Sequence, residues 1–212
     1  MSLRLWVSAL KLQDLKDWRG CKKKKLITEL LAKMEGILPE GTIEEDDEQL
    51  KELVAEKIAA YINGTAEEQK EPETNVEVIT AYSMAQQAET NPWGENEVEL
   101  EWPYGDMDEL YRDCRSRFQD AEHLLEHILN GRPLFGEEFD PEAGWYAYLT
   151  NGEIQDLATK MQEVYNQCAA IVDSGALNKQ DFESGVVDTM EYMLGTLKVA
   201  AESGDDIFIF AS

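Results

Sequence analysis

The only two histidines of the chain stand four residues apart in Glu122-His-Leu-Leu-Glu-His-Ile-Leu-Asn-Gly131. His123, Glu126 and His127 spell His-x-x-Glu-His. On a helix this spacing puts both imidazoles on one side, one turn apart. There they can hold a zinc ion while the glutamate works on a metal-bound water. A catalytic zinc also takes a third protein ligand and keeps one open position. No third histidine exists, so that ligand would be a carboxylate. Glu183 and Glu191 lie downstream at a workable separation, but nothing distinguishes them among 44 acidic residues.

The helix that must carry the motif is predicted over residues 106–130. At 100° per residue, Cys114, Phe118, Ala121, Leu125 and Ile128 fall between about −20° and +60° of Ala121. His123 and His127 fall near 200° and 240°, almost opposite that apolar stripe. The expectation is an amphipathic helix with its histidines turned outward: a surface pair able to take up a metal, without the framework of an inverted zincin peptidase.

Other chemistry is sparser. No glycine-rich phosphate loop, GxSxG elbow or CxxC pair is present. Cys21, Cys114 and Cys168 are odd in number and far apart, which argues against a disulfide framework and a thiolate zinc site. Cys114 lies on the apolar stripe and reads as core. Glu137, Glu138 and Asp140 form an acidic loop cluster without the ligand spacing of a calcium loop. Trp145, Tyr146 and Tyr148, with Trp93, Trp102 and Tyr104, make an aromatic set beside turns, able to build a ligand pocket or to close a core. Lys22 to Lys25 could hold an anion, though an intramolecular acidic partner is the simpler reading. No cofactor is called for.

The chain has 212 residues, with 44 acidic against 19 basic side chains and a net charge of −25. Such a surface repels nucleic acid and anionic lipid, and favours basic partners or divalent cations. With no signal peptide and no apolar run of membrane-spanning length, a cytoplasmic location is expected. Charge is uneven: residues 1–34 hold nine basic and three acidic side chains, whereas residues 35–73 hold three and thirteen.

The elements follow from periodicity. A first strand is predicted over Leu3 to Leu10, with Leu3, Leu5 and Val7 on one face. Helices follow through Leu12, Leu15 and Trp18, through Leu26 to Met34, through Leu50 to Tyr61, and over Val76 to Ala88. Val98 to Trp102 alternates like a strand. After the long helix, two more are predicted over about 152–172 and 179–202, and Ile207 to Phe210 reads as a terminal strand, placed centrally in a small sheet beside the first. The fold class is α+β: a helix-rich single domain, residues 1–212, whose mixed or antiparallel sheet includes the N-terminal and C-terminal strands. Residues 36–100 read as an acidic insertion.

The order of three features resembles the YfbM-like family of bacterial proteins. They are a helix ending in His127-Ile-Leu-Asn-Gly-Arg-Pro-Leu134, an aromatic segment entering a helix at Tyr146-Ala-Tyr-Leu-Thr-Asn-Gly-Glu-Ile154, and a helix running through Ala201-Glu-Ser-Gly204 into a terminal apolar strand. The opening Leu3 to Leu10 and its short helix also fit. The resemblance covers about half of the chain and implies a compact α+β domain. It brings no reaction and no catalytic residues, and it places the two histidines on a scaffold helix.

The reading that emerges is a cytoplasmic, acidic protein-interaction domain, not an enzyme, that binds a basic partner as immunity proteins and antitoxins do. It binds neither nucleic acid nor membrane. The alternative is a small-ligand binder or enzyme built on aromatic and carboxylate groups around residues 132–148, with a metal-dependent hydrolase through His123, Glu126 and His127 as its outermost form. The oligomeric state is left open.

Overall fold

The structure, a computed structural model, describes residues 4–35, 45–64, 74, 75, 78, 79, 82, 101–136, 145–175 and 184–211. They form a helix-rich α+β fold with a small sheet that includes the N-terminal and C-terminal strands, as the sequence predicts; the sheet has four strands, Tyr146–Leu149 adding one that periodicity did not mark. The chain gathers into two compact units. One comprises Met1–Ala9, Trp93–Arg132 and Asp140–Ser212; the other comprises Leu10–Pro92 and Pro133–Phe139.

The first unit contains the sheet. Its strands are β1 (Arg4–Leu10), β2 (Glu101–Pro103), β3 (Tyr146–Leu149) and β4 (Asp206–Ala211), in the order β2-β1-β4-β3. β1 runs antiparallel to β2 with Leu5 opposite Trp102, and β3 runs antiparallel to β4 with Tyr146 opposite Phe210. The apolar C-terminal strand therefore lies in the interior of the sheet, next to the first strand. Residues 98–100 of the predicted strand fall outside the described residues.

Alternation sorts the side chains by face. Leu5, Val7, Ala9, Trp102, Ala147, Leu149, Ile207, Ile209 and Ala211 all join the main apolar core. Tyr146 and Phe208 occupy the opposite face with ring centroids 4.9 Å apart, and Trp6 stacks there on Phe210.

Four helices complete the core of this unit. We number them α4 (Tyr104–Phe118), α5 (Glu122–Asn130), α6 (Asn151–Asp173) and α7 (Ser184–Ser203), after the three helices of the other unit. Along α6, Ile154, Leu157, Ala158, Met161, Val164 and Cys168 are buried, a stripe at helical spacing that packs against α7. Each such large apolar side chain contributes about 1.5–3 kcal/mol on burial. α6 starts at a capping box: Thr150 accepts from the Glu153 backbone N–H, and Glu153 accepts from the Thr150 N–H at 2.9 Å.

The long helix expected over 106–130 is two helices. A 3-10 turn, Gln119–Ala121, separates α4 from α5, and Gln119 has φ 49 and ψ −117, a conformation that interrupts the helical ladder. The stripe survives the break, because Cys114, Phe118, Ala121, Leu125 and Ile128 are all buried, and Leu124 and Leu129 join them. Periodicity reports which residues face inward; it does not report a single backbone residue leaving the helical basin.

The second unit holds α1 (Leu12–Trp18), α2 (Lys24–Glu35) and α3 (Glu45–Asn63). Thr74, Asn75, Val78, Ile79 and Tyr82 are also helical and buried, and the remainder of the helix predicted over Val76 to Ala88 lies outside the described residues. The Tyr61 hydroxyl donates to the Leu15 carbonyl at 2.7 Å and the Tyr82 hydroxyl to Asp14 at 2.7 Å. Gly20 and Lys22 donate from the backbone to the carbonyls of Tyr61 and Ile62, fixing the end of α3. Of the acidic stretch 36–100, residues 36–92 belong to this unit and 93–100 to the first.

Candidate functional site

His123 is exposed and His127 half-buried on α5, with ring centroids 5.9 Å apart and ring planes perpendicular. Both turn away from the stripe made by Leu124, Leu125, Ile128 and Leu129. His123 Nδ1 lies 2.7 Å from the Asp120 carbonyl oxygen. A carbonyl only accepts, so Nδ1 holds the proton and Nε2 keeps its lone pair for a metal or a donor. Glu126 accepts from the Tyr111 hydroxyl at 2.5 Å, and this bond raises the phenol above its ordinary value. Among the described residues, no three His, Cys, Asp or Glu side chains come together as a metal site. Among the described residues, none joins the two imidazoles as the third ligand that a catalytic zinc needs.

His127 adjoins a second constellation. Arg132, just beyond α5, donates through Nη1 to both carboxylate oxygens of Glu153 at 2.9 Å and to the Tyr148 carbonyl at 3.3 Å. Its guanidinium lies 4.2 Å above the Tyr148 ring. Burial pushes the Glu153 carboxyl up, but the bonds from Arg132 and Thr150 outweigh it and hold the group below its ordinary value. Burial, joined by the charges of Arg132 and His123, holds His127 below its own.

Between the α4–α5 break and α6 lies a groove of about 320 Å³. Phe118, Ala121 and Leu124 form its floor, and Asp120, His123, Glu153, Asp156, Lys160 and Glu163 supply its polar groups. Lys160 is committed, donating to Glu163 at 2.9 Å and to the Gln119 side chain at 3.4 Å. With Glu153 paired to Arg132 and Glu163 to Lys160, the exposed Asp120 and Asp156 leave the groove anionic. What this arrangement offers is acceptor oxygens and one imidazole nitrogen, suited to a guanidinium or ammonium group.

The described aromatics have separate surroundings. Tyr146 is fully buried against Phe208, Tyr148 lies under Arg132, and Trp145 meets Tyr104 edge-on at 6.3 Å. Trp102 is buried in the core. Glu137, Glu138, Asp140 and Trp93 lie outside the described residues. Sequence reasoning missed Gln119, Asp156, Thr159 and Lys160, which approach the histidine helix only through packing. One signal was readable: Thr150-Asn-Gly-Glu153 is the capping-box pattern that places Glu153.

A second recess, about 250 Å³, is lined by Arg4, Glu101, Trp102, Pro103, Asp106, Thr189, Tyr192 and Met193. Arg4 forms an ion pair with Glu101 across the β1–β2 pair. Among the described residues, the buried Trp102 Nε1 has no hydrogen-bond partner.

Comparison with known proteins adds no relative: no family model, no curated protein and no solved structure matches the chain. No helix among the described residues is long and apolar enough to cross a membrane.

Proposed function

We propose that the chain is a cytoplasmic, non-enzymatic interaction domain that binds a basic protein partner and receives its lysine or arginine side chains in the groove beside α5. The observation that carries this reading is the groove itself: a concave site whose Asp120 and Asp156 are exposed, on a chain of net charge −25. Long-range charge would speed encounter with a cationic surface, and the groove would supply local fit. An immunity-protein or antitoxin role, neutralising a basic partner, is the form that suits this chemistry.

The test is binding of a basic protein at graded ionic strength. Asp120→Asn, Asp156→Asn and Glu163→Gln together should weaken binding at least tenfold. The same charge change at Asp108, Asp188 and Glu202, on other surfaces, should weaken it far less. Equal loss from both sets would reduce the attraction to net charge and remove the groove from the account.

A second reading, a small-ligand binder, is favoured by the recess at Trp102. An unpartnered buried N–H costs about 1–3 kcal/mol, which an acceptor on a bound molecule would relieve. A ligand screen read by indole N–H chemical shifts tests it, and an unmoved Trp102 signal throughout would rule it out.

A further inference from the structure

We propose that His123 and His127 form a two-imidazole site for a late first-row divalent metal ion, Cu²⁺ ahead of Ni²⁺ or Zn²⁺. Both residues lie within α5, where four residues rise about 6 Å along one face. Their ring centroids are 5.9 Å apart, close enough for two imidazoles to share one ion held at about 2.0–2.1 Å from each nitrogen. His123 is exposed and His127 half-buried, so an ion can reach both from solvent.

Local backbone prepares one of the rings. His123 Nδ1 donates to the Asp120 carbonyl at 2.7 Å, which orients the imidazole and leaves the Nε2 lone pair free. A backbone carbonyl behind a ligating imidazole is a common second shell of metal sites; it fixes the tautomer and makes the ring a better ligand. Asp120 belongs to the 3-10 turn Gln119–Ala121. In an unbroken helix the Leu124 N–H would take its carbonyl, so the break ahead of α5 is what offers that oxygen to the ring.

The surroundings set this site apart from a peptidase centre. Glu126 is engaged by the Tyr111 hydroxyl, and among the described residues no group of three metal-ligating side chains forms. The protein supplies two nitrogens, and water fills the other positions. Imidazole nitrogen suits copper, nickel and zinc, whereas the carboxylates that dominate this surface suit Mg²⁺ and Ca²⁺. His123 also lines the groove that holds the exposed Asp120 and Asp156, whose field concentrates cations beside the ring.

The experiment uses the full chain without an affinity tag, carrying Cys21→Ser to remove the partly exposed thiol. Calorimetric titration with Cu²⁺ and with Ni²⁺ at neutral pH should find one ion per chain, Cu²⁺ the tighter, and a large excess of Mg²⁺ should displace neither. Added to the same background, His123→Ala and His127→Ala should each weaken Ni²⁺ binding by about tenfold or more. His123 is exposed, so that variant keeps the packing of α5 and decides the matter even if the other is destabilised. Substoichiometric Ni²⁺ should broaden the ring NMR signals of both histidines together. Binding that survives His123→Ala, binding that Mg²⁺ displaces, or broadening of one ring alone would each overturn the proposal.

Discussion

Arg132 and Glu153, 21 positions apart, meet through two 2.9 Å contacts that tie the end of α5 to the first turn of α6. Both side chains are about three-quarters buried, at 24% exposure each. Removing Arg132 would leave a carboxylate in a partly dry site with only Thr150 to bind it. Arg132→Leu should therefore cost about 2 kcal/mol at neutral pH, read from urea unfolding. The sign with pH follows from the lowered Glu153 value. On acidification the unfolded chain takes the proton first, near the ordinary 4.5, so the contribution is full above that pH and is lost as pH falls through the folded value. The variant should lose less stability than the parent between pH 5 and pH 3, about two units spanning that window; an equal loss would show that other carboxylates carry the acid response.

His127 gives a second pH response. Its folded value lies below the ordinary 6.5, so the unfolded chain takes the proton first and stability falls as pH drops below that point. His127→Gln should narrow the difference between urea midpoints at mildly alkaline and mildly acidic pH. NMR titration should place the His127 midpoint below the ordinary histidine value. A His127 midpoint above the ordinary value would reverse the sign.

Asn151 binds the last helix to the start of α6. Its side-chain amide donates to the carbonyls of Ala200, Ala201 and Asp205, and its backbone N–H donates to Asp206 at 2.8 Å. Asn151→Ala should cost about 2–3 kcal/mol by removing the amide that donates to the Ala201 and Asp205 carbonyls and shares Ala200 with the Ser203 hydroxyl. Asn151→Asp should cost more, because a carboxylate can only repel those oxygens. Denaturant midpoints for the pair decide the order.

Gln119 holds a backbone conformation that glycine adopts far more readily. Gln119→Gly should raise stability by about 1 kcal/mol, despite losing the long contact with Lys160. A destabilised variant would show that the side chain, not the backbone, dominates this turn.

In the second unit, Tyr61→Phe removes the hydroxyl that reaches the Leu15 carbonyl inside the core. The expected loss is about 1–2 kcal/mol, with helix content unchanged by circular dichroism. A silent substitution would mean that this carbonyl is satisfied within α1.

The sequence by itself determined the fold class, the position of most helices and the faces they bury. Those properties follow from local pattern: the stripe from Cys114 to Ile128 sets the histidines outward, and the short apolar run Ile207 to Phe210 reads as a buried strand. Tertiary structure alone decided which distant groups meet. Neither the contact of Arg132 with Glu153 nor the approach of Asp156 and Lys160 to His123 leaves a mark in any local pattern. Each depends on how helices pack after their apolar faces have been chosen. The kink at Gln119 belongs to the same category, because a residue's type constrains its own backbone less than the packing on either side of it does.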